Sequence, residues 1–243
     1  MTADTHELLV SLHLPKTAGS SFAAALRQHY NERLYEDYRM LPMQLPRGRR
    51  EWQALRDGLV QRVPAGAMAI HGHFLPVKYR WPLRGRRVAW ITWLRNPVER
   101  LLSHYHFWAR DYDGRDPAQS LRNRVLAEDW SLERFCLGPE LRNLYGQYLW
   151  GFDPGRFVFI GLTEHYAQDL AWFSQRFLGR DVLEARIQAN PARESSRYPI
   201  DADLRSRIER HHAADVALYR QAVATRNLRC SQAGQPETRP EPD

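Results

Sequence analysis

Apolar and polar residues fall into blocks along this chain, and the blocks read alternately as strands and helices. "ELLVSLHL" (7–14) is a short apolar run stopped by Pro15, which predicts a buried strand. Phe22, Ala25, Leu26 and His29 then recur at helical spacing through "GSSFAAALRQHY". Residues 31–66 are mixed, with a helix expected near 49–63, where Trp52, Leu55, Leu59 and Val63 share a face. "AMAIHGH" (67–73) and "RVAWITWL" (87–94) predict two further strands, the second bounded by basic residues before and by "RNP" after. Asn96 and Pro97 suit the N-cap and first position of a helix through "PVERLLSHYHFWARDY". Helical pattern continues through 118–138 and 140–151, with a break at Gly138-Pro139. "RFVFIGL" (156–162) is a fifth apolar run, "EHYAQDLAWFSQRFL" (164–178) is amphipathic, and a last helix is expected from about Asp203 to Arg226. Residues 190–201 read as a polar loop. Strands alternating with helices imply an α/β fold: a mostly parallel sheet covered on both faces. One domain over 1–230 is expected, followed by a polar, Pro-rich, disordered tail over 231–243.

Composition narrows the class. The chain has 243 residues, 43% of them hydrophobic and 12% aromatic, enough for a sizeable core. No apolar run reaches the roughly 20 residues of a bilayer span, and the N-terminus lacks the pattern of a signal peptide. Cys136 and Cys230 supply neither a disulfide framework nor a cysteine-based zinc site, so a cytoplasmic protein is expected. The net charge is +7, and of the 35 basic residues only Lys16 and Lys78 are lysines. Residues 45–90 hold ten Arg or Lys against Glu51 and Asp57, a field that suits a phosphorylated cofactor, an acidic polysaccharide, a nucleic acid or a membrane surface.

Three segments carry candidate chemistry. "LHLPKTAGSSF" (12–22) has the residue types of a phosphate-binding loop, but Lys16 precedes Gly19, the reverse of the nucleotide-hydrolase order. At the carboxyl end of a strand and the start of a helix it is either an anion cradle or an ordinary strand-to-helix turn. In an anion cradle the backbone of Thr17–Ser21, the Lys16 charge and the hydroxyls of Thr17, Ser20 and Ser21 face the ligand. "WLRNPVERLLSHYHF" (93–107) sets Arg95, Arg100 and Ser103 near the same helix start, a natural second phosphate site unless Arg100 pairs with Glu99 or Glu128 on the surface. "IHGHF" (70–74) ends a strand with two histidines: a general base at the crevice, a metal-ligand pair without an obvious third ligand, or solvated turn residues. His104 and His106 are spaced onto different helix faces and read as structural or substrate-facing.

Together these segments resemble the carbohydrate sulfotransferases of the heparan and dermatan 2-O-sulfotransferase type. "HLPKTAGSSF" is similar to that family's 5′-phosphosulfate loop, "LRNPVERLLSHY" to its 3′-phosphate element, and "HGH" to its catalytic histidine site. Weaker similarity continues through "NLYGQYLWG", "FVFIGLTEHYAQDLAWF" and "DVALYRQAV", so it covers most of residues 8–224 in the family's order. The resemblance implies a P-loop-like sulfotransferase fold and the donor 3′-phosphoadenosine 5′-phosphosulfate (PAPS), with no metal. By matching position, Lys16, Thr17, Ala18, Gly19, Ser20 and Ser21 hold the 5′-phosphosulfate, and Arg95 and Ser103 the 3′-phosphate. His73, or else His71, takes the acceptor proton; Arg193, Ser196 and Arg197 fall where the family closes a loop over the nucleotide.

The family's vertebrate members carry a membrane anchor, which is not expected here, and its substrate-side basic residues do not transfer by motif. Lys78, Arg80, Arg84, Arg86 and Arg87 are nominated for the acceptor from local charge alone, against plain surface solvation. The expected acceptor is a hydroxyl on a saccharide, or alternatively on a lipid or small molecule. A rival of another class is a basic nucleotide- or nucleic-acid-binding protein. A P-loop kinase is disfavoured by the loop order and by the lack of an evident acid for Mg²⁺.

Overall fold

Every residue from Leu8 to Leu12 is buried, the mark of a strand covered on both faces. The computed structural model describes residues 7–110, 112, 114, 116–180 and 198–233, and in it this run is the middle strand of a five-stranded sheet. The strands are β1 (Leu8–Leu12), β2 (Leu34–Asp37), β3 (Ala69–Gly72), β4 (Val88–Leu94) and β5 (Phe157–Leu162). They pair in the order β2-β3-β1-β4-β5, all parallel. The helices are α1 (Gly19–Tyr30), α2 (Arg47–Val60), α3 (Pro97–Trp108), α4 (Ser120–Ala127), α5 (Leu132–Leu137), α6 (Leu144–Tyr148), α7 (Tyr166–Phe173), α8 (Ala202–His211) and α9 (Ala213–Ala233).

Alternation along the strands divides the core. Leu9, Ala69, Ala89, Ile91, Trp93 and Phe159 face α1 and α7, packing against Phe22, Leu26, Leu170 and Phe173. Leu8, Val10, Leu12, Ile70, Trp90 and Leu94 face the other way, toward Val98 and Leu101 of α3, Phe135 of α5, Tyr145 of α6 and Ile208 of α8. The parallel sheet with helices on both faces is the α/β architecture expected from the pattern.

Three local expectations differ from what is seen. Strand β2 lies in the stretch that reads as mixed: "LYED" is short, sits at the sheet edge, and shows three half-buried positions before buried Asp37. Helix α2 forms, but turns Arg50, Ala54 and Gly58 inward and leaves Trp52 and Leu59 exposed. The final helix is two. The chain breaks at His212, whose Nδ1 accepts from the Asn143 N–H (3.1 Å) and whose Nε2–H donates to the Cys136 carbonyl (2.7 Å). Of the polar segment 190–201 and the tail, residues 190–197 and 234–243 lie outside the described residues.

The band nominated for the acceptor does not behave as one group. Lys78 is buried, with Nζ 2.5 Å from Asp37 Oδ2, and Tyr79 donates to the same oxygen at 2.7 Å. Arg80, Arg84, Arg86 and Arg87 are exposed. Lys78 is therefore a counter-charge for the end of β2, a role that composition cannot distinguish from surface charge. Removing one member of a buried ion pair strands the other. Lys78→Met is expected to lower unfolding free energy by about 3–5 kcal/mol in urea titration, while Arg84→Ser changes it by no more than about 0.5 kcal/mol.

Candidate active site

Parallel strands deliver all their carboxyl ends to one edge, where open α/β sheets bind ligands. A cavity of about 1080 Å³ opens there, and residues following each of the five strands line it. His13, Lys16 and Ala18–Ser21 follow β1, Tyr38 follows β2, His73 follows β3, Arg95 follows β4, and Thr163 to Gln168 follow β5. Ser103, His104, Phe107 and Trp108 of α3 form another wall.

The loop after β1 is bent by two non-glycine residues in the left-handed region, Lys16 (φ 65°) and Ala18 (φ 63°). Such backbone strain concentrates at ligand clamps. Ala18 is the N-cap of α1 and has no side chain to cap it, and the first turn holds no acid. The positive end of the helix dipole is thus turned to the cavity. Thr17 is buried and its hydroxyl donates to the Leu14 carbonyl (2.8 Å), so it braces the loop while Ser20 and Ser21 line the cavity. Glycine is required at position 19: a Cβ there lies 1.9 Å from His13 Nε2.

Charge is concentrated in this space. Among the described lining residues, Lys16, Arg27, Arg95, Arg110 and Arg122 face one carboxylate, Glu164. Arg27 is paired with Glu36 of β2. The Lys16 ammonium sits 3.8 Å over the Phe107 ring. Burial, then repulsion from Arg95, Arg110 and Arg122, brings its pKa down to about 8. A site that holds cations against one another in this way is relieved by an anion.

Arg95 and Ser103 line the same cavity as the β1 loop. The Tyr145 hydroxyl fixes the backbone there, accepting from Arg95 N–H (3.1 Å) and donating to Arg95 C=O (2.6 Å). Asn96 caps α3 as expected, its Oδ1 accepting from the N–H groups of Val98 and Glu99. Arg100 is elsewhere. It is fully buried behind the cavity, its guanidinium 5.5 Å from the Tyr145 ring, with no hydrogen-bond partner on any of its three nitrogens among the described residues. Its charge opposes the burial that pushes Asp215 up to about 6. It is a core residue and not part of the second anion arm.

The two histidines of "HGH" separate by depth. His71 is buried outside the cavity lining, with Nδ1 2.8 Å from Ser11 Oγ, and burial takes its pKa to about 3. His73 lines the cavity, its Nδ1 2.6 Å from the His13 carbonyl. A carbonyl only accepts, so the neutral ring carries its proton on Nδ1 and its lone pair on Nε2. Burial lowers its pKa to about 4. Both rings stack on His13, with centroids 5.2 and 4.2 Å away. Among the described residues no group of three or more His, Cys, Asp or Glu is placed to hold a metal.

No protein-family model matches the chain, and no curated protein matches it. Solved structures align with it loosely. A sulfotransferase from Alicyclobacillus acidocaldarius superposes with a TM-score of 0.44 at 19% identity, over 87% of this chain and 93% of that one. Mouse sulfotransferase SULT7A1, complexed with PAP, superposes with a TM-score of 0.41 at 15% identity, over 86% of this chain and 63% of that one. Alignments this loose carry no chemical argument, and the site stands on its own residues.

Several of those residues carry no sequence signal of their own. Arg110 and Arg122 are two arginines among 33 until α3 and α4 bring them beside Lys16; Arg122 reaches there by donating to the carbonyls of Phe107, Trp108 and Arg110 at the end of α3. Tyr38 enters because β2 exists, and its hydroxyl meets His13 Nδ1 at 2.9 Å. His13 itself opens the loop motif without being singled out by it. Arg193, Ser196 and Arg197 lie outside the described residues; Tyr198, which follows them, lines the cavity and stacks on His106.

With Lys78 buried, Lys16 is the lysine open to modification. Acetylation of the Lys16 amine, followed by mass spectrometry against pH, is expected to titrate near 8, well below an ordinary lysine. Because the charged form exists below that pH, inorganic sulfate or phosphate is expected to protect Lys16 at pH 7 and progressively less above 8.

Proposed function

We propose that the protein is a sulfotransferase that takes the sulfuryl group from PAPS and passes it to an acceptor hydroxyl, probed first on saccharides. The observation that carries this reading is the meeting of two anion-binding arms in one cavity beside a neutral histidine. One arm is the bare α1 N-terminus with Lys16, Ser20 and Ser21; the other is Arg95 with Ser103. A nucleotide with phosphoryl groups on both its 3′ and 5′ sides uses both arms, whereas a simple phosphate uses one. The resemblance of residues 13–22 and 94–105 to the 5′- and 3′-binding elements of carbohydrate sulfotransferases supports the same reading.

PAPS supplies an activated sulfuryl group for in-line displacement. In this reading Lys16 meets the charge that gathers on the leaving phosphate oxygen, and its suppressed pKa is raised by the anion it binds. Ser20, Ser21 and the α1 backbone orient the same group. His73 Nε2 takes the acceptor's hydroxyl proton, while the His13 carbonyl holds the ring through Nδ1–H. His71 stays neutral and packed, as a support for His13. Arg193, Ser196 and Arg197 are proposed to contribute to the nucleotide from the segment before Tyr198.

Thermal unfolding with 3′-phosphoadenosine 5′-phosphate tests the donor. At a hundredfold excess over Kd a rise of roughly 5–10 °C is expected, against little or none with ATP; a shift with ATP alone would falsify the reading. With a turning-over acceptor, Lys16→Ala is expected to lose roughly 10²–10³-fold in rate. His73→Ala is expected to lose roughly 10²–10⁴-fold while still binding the bisphosphonucleotide.

Because kcat/KM reports groups of the free enzyme, its acid limb is expected as pH falls through about 4, where His73 protonates, and its alkaline limb as pH rises through about 8, where Lys16 loses its charge. An acid limb near 6.5 instead removes the assignment of His73 as base.

A further inference from the structure

Helix α2 wears its large apolar residues on the outside. Arg50, Ala54 and Gly58 lie against the protein, Gly58 so closely that a Cβ there comes within 2.7 Å of the Lys78 carbonyl. At about 100° per residue, Arg49, Trp52, Arg56, Leu59 and Val60 fall on the opposite arc. Trp52 is 61% exposed, Leu59 72% and Val60 73%. Trp81, 42% exposed, sits beside the same helix, its ring 3.2 Å from the position of a Gly58 Cβ. Six large hydrophobic residues are markedly exposed among the described residues, and four of them are these. Scattered singly they need no account; Trp52, Leu59 and Val60 share one outward arc of α2, with Trp81 at the side of the helix near Gly58, and an apolar arc of this kind marks a surface for binding.

The outer arc of α2 also carries Arg49 and Arg56, and the flanking sequence is basic. Between residues 45 and 90 eight arginines are exposed, against Glu51 and Asp57, which pair with Arg47 and Arg56. Arg56 lies 5.1 Å over the Trp52 ring and Arg80 5.8 Å over the Trp81 ring.

We propose that this face docks on a bilayer surface carrying anionic headgroups. Trp and aliphatic side chains settle at the headgroup boundary while arginines reach the phosphates, so one surface accepts both halves of the pattern. A nucleic acid rewards the arginines and leaves Leu59 and Val60 without a use. A second copy of the chain brings arginine against arginine across a two-fold axis, which opposes a symmetric dimer. No helix among the described residues is long and apolar enough to cross a membrane, so the attachment is peripheral. The inference is independent of the chemistry assigned to the cavity.

The test is co-sedimentation of the full chain with vesicles of phosphatidylcholine, with and without phosphatidylserine. Binding is expected only with phosphatidylserine and is expected to weaken with salt. Trp52→Ser combined with Leu59→Ser is expected to lower partitioning by roughly tenfold or more, and each of Arg49→Ser and Arg56→Ser by roughly fivefold. All four positions are exposed, so the melting temperature serves as the control for folding. Absence of binding to anionic vesicles at low salt overturns the proposal. So does binding that ignores the Trp52 and Leu59 changes, which would make it a property of net charge. Tight binding to a DNA duplex without vesicle binding gives the face to a soluble polyanion, and a dimer dissolved by Leu59→Ser gives it to a second copy; either result also overturns the proposal.

Discussion

Uniform strand direction is the constraint from which the candidate site follows. With five parallel strands, five chain exits must share one edge, and each exit continues into a loop whose first residues face the same space. An antiparallel strand anywhere in the set would have carried its exit to the far edge. His73 is near Lys16 because β3 lies beside β1, and Arg95 is near both because β4 lies on β1's other side. The site is thus assembled by sheet order more than by proximity in sequence: 57 residues separate Lys16 from His73 along the chain, yet their strands are neighbours.

Burial at that edge acts on two kinds of base in a coordinated way. It strips water from Lys16 among arginines, which destabilises the charged ammonium. It strips water from His73 as well, which keeps the imidazole neutral and its lone pair unprotonated near neutral pH. A solvated edge would leave Lys16 fully charged and already screened, and His73 partly protonated. The Phe107 ring against Lys16 and the His13 ring against His73 are among the neighbours that bury these two groups.

Most of the sheet could be read from the chain because β1, β3, β4 and β5 are apolar runs with turn residues after them. Strand β2 could not, since an edge strand with half-buried positions loses the hydrophobic signal that marks the others. The orientation of α2 was lost for a related reason: its inward positions are Arg50, Ala54 and Gly58, the last against the Lys78 backbone, and small or charged residues do not announce a buried face. Within the site, the loop and the Arg95–Ser103 pair were legible as motifs that tertiary structure brings into one cavity. Thr17, Arg100 and Lys78 were not, because residue type cannot say whether a hydroxyl or a cation faces the cavity or the core. A chain with 33 arginines hides Arg110 and Arg122 completely.

The glycine of "HGH" shows how the unread strand supports the motif that was read. A Cβ at Gly72 lies 1.9 Å from the Asp37 carbonyl, so the glycine is what lets β2 pair closely with β3 between the two histidines. Asp37 is then held by Lys78 and Tyr79 in the interior, which fixes where β2 ends. The next residue is Tyr38, whose hydroxyl meets His13 Nδ1, and the His13 carbonyl accepts the proton of His73 Nδ1. Lys78 therefore does bear on the cavity, though not as a ligand-facing charge. It secures a strand end, and through Tyr38 and His13 that strand end bears on the orientation of His73 in the cavity wall.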